Sequence, residues 1–400
     1  MTTDPEPTIR RNTLIHAFPT EMLANIFHIY FWEQELSGEG DCLSLHNARV
    51  TFRLVCRRWN WIIQSTPQLW TFVVVDYDLC LKEPPSPPVA YYEDWIQRSK
   101  TLPITLHISP VDGYCPKCEE GSEHFAEILE TLWTSVSRWK RLTIGYICDL
   151  PIDMISDRDF SGANQLTHLS IDIPSLDPET MDDTVEYFVQ ALANIPCLRS
   201  LAWNSFSGVM AVTMVKYMPC NDLTELFLEF DESLSLKPAL DLIRGIPSLI
   251  SLTLAGELLD YNDDAEFDGD EPPQMLVHLP HLRFLDISFK GSFCEDFLPL
   301  MDCPNLISFT ISPNHGLYSE LLSKVVEFVG RHTALKKLQM GKFPKHEIVP
   351  FFHTDMFQLN QVPVVIVHIY DKHRSYGEEP VTVEGFIDIM DSAKVEMRDV

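Results

Sequence analysis

Apolar residues recur along this chain in two rhythms. Near the N-terminus they keep helical spacing. Met22, Leu23, Ile26 and Phe27 recur at i, i+1, i+4 and i+5 behind Pro19, whose φ is pre-set for a helix start, and predict a helix to about Tyr30. Phe52, Val55, Cys56, Trp59, Ile62 and Ile63 predict a second helix over roughly Ala48 to Gln64. Arg57 and Arg58 place part of that helix in water. The segment between, Tyr30 to Asn47 with Gly38 and Gly40, reads as a polar loop. Two short helices cannot bury so many large apolar groups against each other, so a further surface must cover them.

From residue 100 onward the rhythm becomes Leu-x-x-Leu-x-Leu, often with Pro just ahead. Its members centre on Leu142, Leu169, Leu201, Leu226, Leu252, Leu285, Phe309 and Leu338, spaced 24 to 33 residues apart. The last two apolar positions of each member flank one polar residue, the alternation of a short strand with one buried face. Helical stripes lie between: Phe125, Ile128, Leu129, Leu132, Trp133 and Val136 within Glu123–Trp139; Val185, Phe188, Val189 and Leu192; Leu321, Leu322, Val325, Val326 and Val329. One strand–helix unit cannot bury its own face, but stacked units can. The spacing matches a leucine-rich repeat of irregular, helix-containing type. The expected fold is therefore α/β: a short all-α module, then an irregular solenoid with a parallel β-sheet inside and helices outside. No Gly-rich phosphate loop follows any strand, which argues against a doubly wound domain. Leu69–Val75 reads as a strand, Lys82–Pro88 as a Pro-rich loop, Tyr91–Ser99 as a helix and Leu102–Ile108 as another strand. Pro363–Tyr370 reads as a last strand and Val381–Ala393 as a capping helix.

Composition narrows the functional classes. Four hundred residues at 45% hydrophobic suit a small module plus one larger domain with a substantial core. A net charge of −28 repels phosphate backbones and anionic lipid, so neither nucleic acid nor membrane is an expected partner. Met1–Thr13 has no apolar signal core, no run approaches membrane-spanning length, Thr2 is no myristoylation site and Met397-Arg398-Asp399-Val400 is no prenylation box. Ten scattered cysteines and no Asn-x-Ser/Thr acceptor suit free thiols in a reducing cytoplasm or nucleus.

Catalytic and metal motifs are mostly missing. Cys115-Pro116-Lys117-Cys118 with His124 nearby has zinc-ligand spacing but half of a tetrahedral set, and reads as a polar loop between repeats. The acidic run Asp260–Glu271 hints at a calcium loop, yet Met275 stands where a bidentate Glu is required, so a solvated insertion is expected. No Gly-x-Ser-x-Gly, His-Glu-x-x-His or phosphate-loop motif occurs. No catalytic residue, metal or cofactor is expected.

One combination is more specific than its parts. Pro19 and Glu21 at the first helix start, Val55-Cys56-Arg57-Arg58-Trp59, and Ser65-Thr66-Pro67-Gln68-Leu69-Trp70 together resemble an F-box, in the form common in mushroom-forming fungi. The resemblance covers about residues 14 to 75, and the Tyr30–Asn47 segment is longer than the compact family pattern. It divides the chain into a tail (1–13), an F-box-like domain (14–75), a leucine-rich-repeat solenoid (76–380) and a C-terminal cap and tail (381–400). It implies a non-enzymatic substrate-recognition subunit of a Skp–cullin–F-box ubiquitin ligase, cytoplasmic or nuclear. The alternative is a protein-interaction scaffold with no ligase role. The residues implied for binding a Skp-type adaptor are Pro19, Glu21, Met22, Leu23, Ile26, Phe27, Val55, Cys56, Trp59, Ile62, Leu69 and Trp70, several of which must serve the module's core instead. An unknown protein substrate would meet the concave face of the repeats at the outward strand positions His168, Ser170, Asp172, Glu225, Phe227, Glu229, Phe284, Asp286, Ser288, Ser308, Thr310, Lys337 and Gln339.

Overall fold

The structure, a computed structural model, describes residues 18–36, 42–80, 85–109, 122–145, 154–172, 178–218, 222–230, 236–256, 276–289, 293–312, 318–344, 362–370 and 394–399. The chain begins with three helices, α1 (Thr20–Leu36), α2 (Cys42–Val55) and α3 (Arg57–Ser65). Helix α1 runs past Tyr30 because Phe31, four residues beyond Phe27, is itself buried and the following Glu33, Gln34 and Glu35 favour helix. Residues 30–36 and 42–47 of the expected polar loop are therefore helical, and residues 37–41 lie outside the described residues. The single helix expected over Ala48–Gln64 is two, because Cys56 is extended (φ −163°, ψ 167°) and begins α3 afresh. With that break the rings of Phe52 and Trp59 lie 5.1 and 4.8 Å from Phe27 and 5.5 Å from each other. Arg53 spans the break, its Nε donating to Asn60 Oδ1 at 3.1 Å.

Leu69 and Trp70, expected as strand, sit in a 3-10 turn (Pro67–Trp70), since Pro67 pre-sets a turn start and lacks the N–H a ladder needs. The sheet follows at once. Strands β1 (Phe72–Asp76), β2 (Ile104–Ser109), β3 (Trp139–Ile144), β4 (His168–Asp172), β5 (Ser200–Phe206), β6 (Glu225–Phe230) and β7 (Ser251–Gly256) stand side by side in chain order. They continue through β9 (Phe284–Phe289), β11 (Ser308–Ile311), β12 (Lys337–Pro344), β13 (Val364–Tyr370) and β14 (Lys394–Asp399), giving twelve parallel strands. Two short strands, β8 (Val277–His278) and β10 (Met301–Asp302), pair with each other apart from this sheet. The expected capping helix at Val381–Ala393 lies outside the described residues, and the segment expected as a tail adds a strand, β14, to β13.

Between strands run α4 (Tyr77–Cys80), α5 (Val89–Ser99), α6 (Ser122–Trp133), α7 (Pro178–Ala193), α8 (Gly208–Tyr217), α9 (Leu236–Arg244), α10 (Phe293–Leu300) and α11 (Tyr318–Arg331). The helix expected to reach Trp139 stops at Trp133. A 3-10 turn takes Val136–Arg138, and Trp139 begins β3. Neighbouring helices pack on one another, α5 on α6, α7 on α8, α8 on α9 and α10 on α11. This is an α/β architecture with one large parallel sheet, compatible with a strand–helix solenoid.

Strand register follows the leucine pattern. Leu106, Leu142, Leu169, Leu201, Leu226, Leu252, Leu285, Phe309, Leu338 and Val365 lie side by side, one per strand, each at most 2% exposed. A one-residue slip would turn that whole row to solvent, so burial itself holds the register. Where β7 meets β6, Gly256 has φ 151° and lies so close that a Cβ would stand 2.5 Å from the Phe230 carbonyl oxygen.

The helices and the sheet share one apolar core running from Leu23 to Val365. Trp70 packs edge-on against Trp95 of α5 at 5.8 Å and donates its indole N–H to the Ile63 carbonyl at 2.7 Å. Buried Arg49 of α2 lies 5.0 Å from the Phe31 ring and 4.5 Å from the Trp95 ring, and donates to the Phe72 carbonyl at 3.3 Å. One side chain thus ties α1, α2, β1 and α5 together.

Candidate interaction surfaces

The structure sorts the twelve residues expected at an adaptor surface by depth. Leu23, Phe27, Ile62, Leu69 and Trp70 are at most 3% exposed, which puts them on the core side of the division the sequence left open. Each points into the shared core, because the helices must bury an apolar stripe against the sheet before they can offer one outward. Cys56 and Trp59 are half-buried. Pro19, Glu21, Met22, Ile26 and Val55 face solvent.

Six exposed apolar residues escaped the sequence reading: Phe18, Ile29, Tyr30, Val50, Leu54 and Trp61. Met22, Ile26 and Ile29 form a stripe along the outer side of α1 at helical spacing. Leu54 is 80% exposed and Trp61 60%. The signal for Ile29 was present, since it continues the Met22–Ile26 spacing. Leu54 and Trp61 carried none, because their exposure follows from the break at Cys56. Arg58 fixes the edge of this surface by donating to the Phe18 carbonyl, which joins α3 to the approach of α1.

All thirteen outward strand positions lie on the sheet face opposite the leucine row, all but Asp172 in three register columns. His168, Glu225, Phe284, Ser308 and Lys337 share the first, together with Arg141, Ser200 and Ser251. Ser170, Phe227, Asp286, Thr310 and Gln339 share the second, with His107, Thr143, Ala202 and Thr253. Glu229 and Ser288 fall in the third, and Asp172, paired with Asn204, stands one outward strand position past the second column, on the far side of a register shift between β5 and β6. The residues missed here occupy the same positions in neighbouring strands.

Charged groups on this face are partly desolvated. Burial raises the carboxyls of Asp286 and Asp172 above the usual range, the second opposed by a hydrogen bond from Asn204. Burial lowers His107 and His168, and Arg141 adds to the effect on His168. Burial also holds the Cys80, Cys294 and Cys303 thiols at about 12, so they stay protonated and unreactive. Among the described residues no group of three or more His, Cys, Asp or Glu is placed to hold a metal, and no helix is long and apolar enough to cross a membrane. Cys115–Cys118 and Asp260–Glu271 lie outside the described residues. No protein-family model matches the chain, and no curated protein matches it.

Proposed function

We propose that the chain is the substrate-recognition subunit of a Skp–cullin–F-box ubiquitin ligase, with residues 14–75 as an F-box-like module and the sheet region as an irregular leucine-rich-repeat solenoid. The observation that carries this reading is the apolar surface on α1–α3. Met22, Ile26, Ile29, Leu54 and Trp61 are exposed in the segment whose motif resembles an adaptor-docking module. Apolar groups left outward beside a filled core mark a partner site. On this reading the protein does no chemistry of its own. It acts in the cytoplasm or nucleus, holding a protein substrate on the open sheet face while the helices hold the adaptor.

Co-purification of the full chain with a Skp-type adaptor tests it. The wild type should recover the adaptor, and Met22→Glu with Leu54→Glu should abolish recovery while the fold survives, because both side chains are solvent-exposed. Undiminished recovery by a folded double variant would reject this surface as the docking site. No recovery by the wild type would favour the scaffold without a ligase role.

A further inference from the structure

The net charge conceals a local reversal. Lys140, near the start of β3, and Thr167, Arg199, Thr224, Ile250, Arg283, Ile307 and Lys336, each just ahead of its strand, form one backbone ladder. The amide N–H of each after Lys140 donates to the carbonyl of the ladder residue before it, at 2.8 to 3.0 Å. These residues therefore stand at strand spacing along the sheet's rim, about 4.8 Å apart. Lys140, Arg199, Arg283 and Lys336 are exposed. Arg141 and Lys337 adjoin the two ends, in the first column of the open face. The rim ladder and that column together hold six Lys or Arg and one acid, Glu225, in a chain with 58 acids and 30 bases.

A trough of about 600 Å³ lies along the same rim over β7, β9, β11 and β12. Its lining includes Ile250 and Ile307, with Arg283, Lys336 and His281. The polar side chains Ser248 and Asn305 bond inward, to the Leu223 and Pro280 carbonyls at 2.7 Å. The cations have no ion-pair partner among the described residues, whereas Arg331 and Arg244 nearby do serve local structure. Arg331 donates to the Leu298 and Pro299 carbonyls, and Arg244 pairs with Asp241 at 2.5 Å.

We propose that this rim binds an extended acidic segment of a protein partner. Arg283, Lys336, Arg199 and Lys140 receive its carboxylate or phosphate groups, and Ile250 and Ile307 take the apolar side chains between them. Calling that segment the ligase substrate rests on the function proposed above; the binding does not. The cations are two, three and two strand intervals apart, about 10, 14 and 10 Å, which an extended chain spans in about three, four and three residues. The whole ladder is about 34 Å long, far more than one small anion needs. A nucleic acid would suffer the repulsion of the remaining charge at every phosphate.

The probe is a fluorescein-labelled peptide of about twelve residues with glutamates about three, four and three residues apart and leucine and serine between. A form with phosphoserine replaces the glutamates in one arm and a form with glutamine in another. Anisotropy on the full chain should show binding of both anionic forms, weakened by salt, and little binding of the glutamine form. Arg283→Gln with Lys336→Gln should weaken binding roughly tenfold, and Arg283→Glu with Lys336→Glu further. Lys237→Glu, which lies elsewhere and matches the glutamine pair in charge change, should leave it unchanged. Glutamine-peptide binding equal to the acidic one, or wild-type affinity in both rim variants, overturns the inference. So does a single-stranded oligonucleotide that binds where the peptides do not. Adaptor recovery by the rim variants should match the wild type, so loss of peptide binding and failure of the ligase reading are separate results.

Discussion

In the sheet, each leucine of the inner row sits between two like residues at the same register, so its environment is repeated. In the helical module, Phe27, Tyr30, Phe31, Phe52 and Trp59 form one aromatic cluster, and nothing repeats. The outward faces differ as well: the helices turn Met22, Ile26, Leu54 and Trp61 to solvent, while the strands turn out mostly polar groups. A repeated interior leaves the other face free to vary, position by position, and so suits a polar and varied partner. A unique interior with an apolar exterior suits one partner that buries it. The shared core and the Arg49 bridge make the two regions one mechanical unit, which holds the exposed apolar side of the helices and the polar face of the sheet in fixed relation.

Three measurements bear on that contrast, from the largest effect to the smallest. Phe27→Ala should cost about 3–5 kcal/mol and Leu252→Ala about 2–5 kcal/mol, read by denaturant unfolding. Because the core is common, each should shift a single transition seen by both tryptophan fluorescence and far-ultraviolet dichroism. Two separable transitions, with Phe27→Ala moving only one, would show that the module folds alone.

Arg49→Ala should cost about 2 kcal/mol, through loss of two desolvated cation–π contacts and the Phe72 hydrogen bond. A double-mutant cycle with Trp95→Leu should give coupling of about 1 kcal/mol or more. Additive effects would mean that Arg49 does not carry the joint.

The third concerns His332, buried beside β10. Its Nε2 accepts the Cys303 amide at 3.0 Å, so the proton sits on Nδ1, which donates to the Phe328 carbonyl at 2.6 Å. Protonation would set a second N–H against that amide. Burial holds its pKa below the usual value, with Arg331 contributing in the same direction. The folded state therefore binds the proton less readily than the unfolded chain. Stability is fully present above about pH 6.5 and is lost as pH falls from there toward the lower folded value. His332→Gln should flatten that slope without removing it, since His107 and His168 are shifted the same way. An unchanged slope in the variant would assign the pH dependence elsewhere.

The leucine spacing was enough to place the strand cores: the row from Leu142 to Leu338 stands in register as its period implies. The thirteen outward positions followed, because side chains alternate strictly along a strand. Within the helical module, apolar character was legible but depth was not. Leu23 and Met22 are neighbours of similar hydrophobicity, one buried and one exposed, and only the position of the sheet behind α1 separates them. Leu54 and Trp61 face out because Cys56 breaks the helix, and no proline or glycine announced that break.

What the sequence determined by itself is whatever a local period encodes: the α/β class, the inner row, the open face and the helical stripes. Such patterns need only the geometry of a strand or a helix turn. The tertiary structure alone decided which apolar residues of the helices are core and how Arg49 joins the two regions. Those depend on groups far apart in the chain meeting at one place, and the order of residues does not specify that until burial and register bring them together.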